Sequence, residues 1–155
     1  MTRRCFLTGL CALTVCVGAA TAKPNFSGDW KANIDKCDFG PMPPPSSINA
    51  KVSHTDPELK VTTVQKSDQG DRTTDSKFNT EGKETTNQLG PMEAKSTAVW
   101  EGDTLVITSK FEIQGNEIKS QEKWSLSEDG KTLKRAAHIS APQGEFDLVY
   151  VFDKQ

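Results

Sequence analysis

From Lys23 onward, polar and apolar residues alternate with a period of two, and turn chemistry interrupts the alternation roughly every ten residues. Turn signals fall at Asp56-Pro57, Asp68-Gln69-Gly70-Asp71, Thr80-Glu81-Gly82-Lys83, Glu101-Gly102-Asp103, Gln114-Gly115-Asn116, Glu128-Asp129-Gly130-Lys131 and Pro142-Gln143-Gly144. Glycine there supplies the positive φ that tight hairpins need. No stretch keeps a helical period. The pattern predicts ten strands, near 26–34, 48–55, 58–67, 71–79, 83–89, 94–101, 104–113, 117–126, 131–139 and 146–153.

Because side chains repeat every second residue, a trial register can be tested by what it places opposite what. Closing a two-residue turn at Gly102-Asp103 sets Trp100 opposite Leu105 and Ala98 opposite Ile107. Closing at Gly115-Asn116 sets Ile113 opposite Ile118, Ile107 opposite Trp124 and Leu105 opposite Leu126. Closing at Asp129-Gly130 pairs Leu126 with Leu133 and Trp124 with Arg135. A longer loop after Ile139 pairs Ile139 with Phe146, Ala137 with Leu148, Arg135 with Tyr150 and Leu133 with Phe152. Apolar meets apolar along one face of five consecutive strands. Ser109 and Glu122 then share a row with Ala137 and Leu148, and Phe111 shares one with Ile139 and Phe146.

The opposite faces, such as Lys119, Gln121, Lys123 and Ser125, are polar, which excludes an outer-membrane barrel with its apolar outer band. Between Gln65 and Ala98 the apolar residues thin out, and the inward face carries Thr63, Gln65, Thr74, Ser76, Thr85 and Asn87. The fold class is therefore all-β: a single antiparallel up-and-down barrel or clam of eight to ten strands. Its polar half either lines a partly wet cavity or faces water as an open sheet. The Pro-rich loop, Gly40-Pro41-Met42-Pro43-Pro44-Pro45, is stiff and extended.

Residues 1–22 read as a cleaved export signal. Arg3 and Arg4 precede an uncharged run ending in small residues, with Ala20-x-Ala22 as the cleavage pattern. The run is too short and too broken for a permanent anchor, so stable membrane insertion is not expected. Thr2-Arg3-Arg4-Cys5-Phe6-Leu7 resembles the bacterial twin-arginine motif, and an ordinary secretory signal remains the alternative. The predicted destination is the periplasm or the exterior of a bacterial cell.

Without that segment, residues 23–155 carry 17 basic and 21 acidic side chains, and 39 of the 133 are apolar. Such a chain supports one modest core and one domain. Its acidic balance excludes nucleic-acid binding through a basic surface. Cys37 is the one cysteine left after cleavage, so no internal disulfide forms. Its acidic neighbours Asp35 and Asp38 resist thiolate formation, and it reads as an incidental thiol.

The segment Asn25-Phe26-Ser27-Gly28-Asp29-Trp30-Lys31 resembles the Gly-x-Trp opening of the calycin superfamily, which includes lipocalins, fatty-acid-binding proteins and avidins. With Phe39-Gly40-Pro41-Met42-Pro43, Asp56-Pro57 and Trp100-Glu101-Gly102-Asp103-Thr104-Leu105, the chain is similar to lipocalin-like exported bacterial proteins. The resemblance implies that Trp30 plugs one barrel end, where Trp100, Leu133 and Phe152 would join it. It also implies a basic residue near the last strand packed on the opening Trp. Two departures stand out: Thr74-Asp75 is followed by Ser76 rather than Tyr, and the Pro-rich loop is too short and stiff for the paired helices of fatty-acid-binding proteins.

The residues that carry chemistry cluster around Arg135. Trp124 and Tyr150 are its cross-strand neighbours, with Glu122 and Ser109 one row away. The arrangement resembles the Arg and Tyr pair with which fatty-acid-binding proteins hold a ligand carboxylate. In one reading Arg135 and Tyr150 hold a polar head while Ile107, Phe111, Phe146 and Leu148 line the apolar part. In the other, Arg135 closes the barrel end over an indole with its charge neutralised by Glu122. His54 faces inward and His138 outward, so no shared metal site is expected. No nucleophile and base come together, and neither catalysis nor a cofactor is predicted. Two functions follow: binding of a small apolar or amphipathic molecule inside the barrel, or a ligand-free envelope module acting on a protein partner through the Pro-rich loop or the polar strands.

Overall fold

Alternation becomes strands throughout. In a computed structural model, which describes residues 22–155, the chain forms β1 (Gly28–Ala32), β2 (Ser47–Thr55), β3 (Glu58–Lys66), β4 (Arg72–Asn79) and β5 (Thr85–Leu89). It continues with β6 (Met92–Glu101), β7 (Thr104–Ile113), β8 (Asn116–Leu126), β9 (Thr132–Ala141) and β10 (Gly144–Lys154). A single 3-10 turn, Ile34–Lys36, follows β1. The predicted export segment, except for Ala22, lies outside the described residues.

All ten strands join one antiparallel sheet in the order β4-β3-β2-β1-β10-β9-β8-β7-β6-β5. Neighbours are consecutive in sequence except at β1 and β10, where the first strand pairs the last, with Trp30 opposite Lys154. The sheet curls until β4 and β5 face each other, giving a nearly closed barrel rather than an open sheet. No strand ladder spans that seam. Asn87 on β5 takes its place: Oδ1 accepts from the Lys77 N–H at 2.7 Å and Nδ2 donates to the Lys77 carbonyl at 3.0 Å. One amide side chain thus mimics a residue of a missing strand. Beside it, the Gly82 N–H donates to the Ala98 carbonyl at 2.9 Å and ties the β4–β5 connection to β6.

Three of the four predicted registers match: Trp100 faces Leu105, Trp124 faces Arg135, and Arg135 faces Tyr150. The β7–β8 register is corrected by two residues. Ile113 faces Asn116, Leu105 faces Trp124 and Ile107 faces Glu122. The turn there is Gln114-Gly115, with φ of 52° and 80°, the left-handed pair of a type I′ hairpin. Sequence placed the glycine first in the turn, whereas it stands second and Gln114 takes the strained position. The longer loop expected after Ile139 is also replaced by a tight turn, since the ladder runs on to Ala141 opposite Gly144. A two-residue shift leaves every side chain on its face but changes its row. The row at the heart of the barrel now reads Trp100, Leu105, Trp124, Arg135, Tyr150.

The core gathers at one end. Phe26, Trp30, Leu59, Leu105, Ile107, Trp124, Leu133 and Phe152 are fully buried. Phe26 stacks on Trp100 with ring centres 5.7 Å apart and meets Trp124 edge-on at 5.5 Å. Trp30 donates its indole N–H to the Phe26 carbonyl at 2.9 Å. Trp30, Leu133 and Phe152 belong to this buried cluster, with Trp100 partly buried against it. Gly28 permits this closure: at φ 145° its missing Cβ would stand 2.8 Å from Lys154 Cε, and the Lys154 ammonium lies 5.3 Å from the Trp30 ring centre. The basic residue on the opening Trp is therefore Lys154.

Candidate functional site

Above the plug the barrel is not filled. A cavity of about 290 Å³ lies between two unlike walls. One is built from β8, β9 and β10, which present Ser120, Glu122, Trp124, Arg135, Ala137, Ile139, Leu148, Tyr150 and Phe152. The other comes from β2 to β5, with Ile48, Val61, Thr63, Gln65, Thr74, Ser76, Phe78 and Leu89. Period-two alternation places each of these on the concave face.

Arg135 is the centre of the first wall. Its guanidinium carbon sits 4.4 Å from the Trp124 ring centre, 5.7 Å from that of Phe152 and 5.9 Å from that of Tyr150. Aromatic faces therefore surround the cation. Its Nε donates to Glu122 Oε1 at 2.5 Å, and the two side chains are only 18% and 17% exposed. Burial at this level makes the pair self-supporting: either charge alone would be stranded in a poorly solvated space. Burial pushes the Tyr150 phenol above its ordinary pKa, against the opposing pull of Arg135, so it stays a neutral hydroxyl. The Trp124 indole N–H is buried with no hydrogen-bond partner among the described residues.

The root of the Pro-rich loop packs against β10. Phe39 meets the Tyr150 ring edge-on at 5.7 Å. Gly40, at φ 54°, approaches so closely that a Cβ would lie 3.1 Å from the Asp147 carbonyl oxygen and 3.3 Å from the Leu148 side chain. The root of the loop is thus moored to β10, and Met42 beyond it is exposed.

Of the residues that sequence grouped as a site, Arg135, Tyr150, Trp124, Glu122 and Leu148 stand together on the cavity wall. Ile107, Ser109, Phe111 and Phe146 do not line it. Ile107 is packed in the core, and Ser109 shares a 2.8 Å hydroxyl contact with Ser96. Phe111 borders an outer groove with Lys95 and Lys110, and Phe146 lies beside Gly40. Thr63, Gln65, Thr74 and Ser76, read from sequence as an inward polar face, form the wall opposite Arg135. Asn87 instead serves the β4–β5 seam through the Lys77 backbone, and the Thr85 hydroxyl donates to the Ser96 carbonyl on β6. Ile48, Val61, Phe78, Leu89, Ser120, Ala137 and Ile139 were not grouped with the site from sequence. Inward parity was their only signal, and parity does not separate a cavity wall from a packed core.

The remaining polar residues serve the fold. His54 is buried against both Phe26 and Trp100, at ring distances of 5.5 and 5.9 Å. Its Nδ1 accepts the Phe26 N–H at 3.2 Å, so the proton resides on Nε2, which reaches Asp56 at 3.0 Å. Asp56 also accepts from the Thr80 hydroxyl at 2.6 Å. That bond and the neighbouring His54 hold its carboxyl below the usual range. His138, on the outer face, contacts Asp147 at 2.7 Å. The Cys37 thiol donates to the Asn33 carbonyl at 3.2 Å and accepts from the Val151 N–H at 3.3 Å. Among the described residues no three metal-ligating side chains come together, and no helix is long and apolar enough to cross a membrane.

An all-β, nearly closed, ten-stranded antiparallel barrel in this strand order has a lipocalin-like topology. Solved structures share it. Zebrafish ileal bile acid-binding protein, solved in complex with cholic acid, superposes with a TM-score of 0.59 at 19% identity over 84% of this chain and 98% of its own. A secretory abundant heat soluble protein from Ramazzottius varieornatus gives 0.59 at 12% identity, covering 83% of this chain and 94% of its own. A second, secretory abundant heat soluble protein 4, gives 0.56 at 15% identity over 89% and 99%. No family model matches the sequence, and no curated protein matches it. At these identities the likeness is one of fold.

Proposed function

We propose that this chain is an exported binding protein that holds a small apolar or amphipathic molecule inside its barrel. The observation that carries the reading is the cavity of about 290 Å³ between an Arg135–Tyr150 wall and a hydroxyl-lined wall. Tyr150 and Arg135 face the polar part of the guest, while Leu148, Ile48, Val61 and Phe78 meet its apolar part. The volume is near the lower end for ligand pockets, which favours a compact guest. The bile acid-binding relative of the fold, solved with cholic acid, supports interior binding as the use of such a barrel. Residues 1–22 direct export to the periplasm or beyond, and replacing Arg3 and Arg4 by Lys blocks delivery if the twin-arginine route is used. No step of catalysis enters this reading.

Native mass spectrometry of protein purified without detergent tests it by searching for a co-purifying mass. Tryptophan fluorescence during titration with short-chain amphiphiles then compares the wild type with Arg135→Ala. Trp124 lies against Arg135, so occupancy changes the wild-type emission and the variant responds more weakly. If no ligand mass and no emission change appear in either protein, the reading fails.

A further inference from the structure

The chemistry of the cavity restricts the kind of head group it takes. Arg135 and Glu122 are the two charged residues lining it among the described residues, and they are already joined to each other. The remaining polar lining is neutral: Thr63, Gln65, Thr74, Ser76, Ser120 and the Tyr150 hydroxyl. The cavity therefore has close to zero net charge and a surplus of uncharged donors and acceptors.

We infer that the site selects a small guest with an uncharged, hydrogen-bonding head, such as a carboxamide or hydroxyl, over carboxylate or ammonium analogues. This rests on the reading of the cavity as a binding site. An incoming carboxylate meets a guanidinium whose Nε is taken by Glu122 and whose face is covered by Trp124. It must either displace Glu122, stranding that carboxylate in a space where it is 17% exposed, or sit beside it as a like charge. An ammonium meets the mirror problem at Arg135. A neutral amide faces neither. Its carbonyl accepts from the guanidinium's Nη donors or the Tyr150 hydroxyl, and its N–H groups donate to Glu122 or to the hydroxyl wall, with the ion pair intact.

Calorimetric titration of the mature chain with octanamide, octanoate and octylamine, near neutral pH, tests the inference. Octanamide is expected to bind at least about tenfold more tightly than either charged analogue. Glu122→Gln, which keeps the shape and frees the guanidinium, is expected to shift the octanoate-to-octanamide preference at least about tenfold toward octanoate. Should that variant unfold in a thermal melt, the wild-type series alone decides the matter. Octanoate or octylamine binding more tightly than octanamide to the wild type overturns the inference and leaves interior binding standing. If none of the three binds, interior binding and the inference fall together.

Discussion

Phe26 lies outside every strand, yet both its backbone and its ring are engaged. Its N–H donates to His54, its carbonyl accepts from Trp30, and its ring stacks on Trp100 and His54. Phe26→Ala is expected to cost about 3–5 kcal/mol, read as a lowered urea midpoint, because the plug around it cannot collapse into the space. The neighbouring Asp56 makes the same region sensitive to acid. Its folded pKa is depressed, chiefly by the Thr80 hydroxyl, so its contribution is present above the unfolded value of about 4 and is lost as pH falls through the lower folded value. The carboxylate is 47% exposed, so solvent screening limits the effect to about 1 kcal/mol or less. Thermal melts of wild type and Asp56→Asn should therefore differ at neutral pH and converge once the pH falls below the depressed folded value. A difference that persists unchanged in acid would contradict this assignment.

At the scale of elements, one local device sets a hairpin register and another closes the barrel. Gln114 holds a left-handed conformation that an L side chain tolerates poorly, ahead of Gly115 in the β7–β8 turn. Gln114→Asn creates the favoured Asn-Gly pair and is expected to stabilise by about 0.5–1 kcal/mol, with the urea midpoint rising and the slope unchanged. Asn87 is the second device. Asn87→Ala removes both bonds to the Lys77 backbone and is expected to cost about 1–2 kcal/mol, with hydrogen exchange accelerating first at the Lys77 amide. Uniform acceleration throughout the sheet would argue against a local seam. These two sites also mark where sequence reading ended. Alternation assigned the faces of strands because a one-residue error would have turned Leu105, Trp124 and Leu133 outward. It could not exclude a two-residue slip at β7–β8, which keeps parity and depends on a glutamine adopting an unusual φ. It placed Asn87 inward but not against Lys77, since that contact exists only once the two sheet edges meet.

Over the whole molecule, uneven apolar content becomes a division of space. Ala98, Leu105, Ile107, Trp124, Leu133 and Phe152 of β6 to β10 join Phe26, Trp30 and Leu59 in the plug, while the polar inward faces of β3 and β4 border the hollow above it. Sequence legibly separated these halves and brought Arg135, Trp124, Tyr150, Glu122 and Leu148 to one wall. It also drew in Ile107, Ser109, Phe111 and Phe146, because height along the barrel axis follows from the corrected register and the position of the plug. We propose that this hollow receives a ligand. Amide chemical shifts of isotopically labelled residues 23–155, followed during titration with octanamide, test that proposal. A ligand in the hollow shifts the amides of Trp124, Arg135 and Tyr150 and, across the cavity, those of Thr74 and Ser76. Shifts confined to outward residues such as Lys95 and Lys110, or none at saturating octanamide, would contradict it.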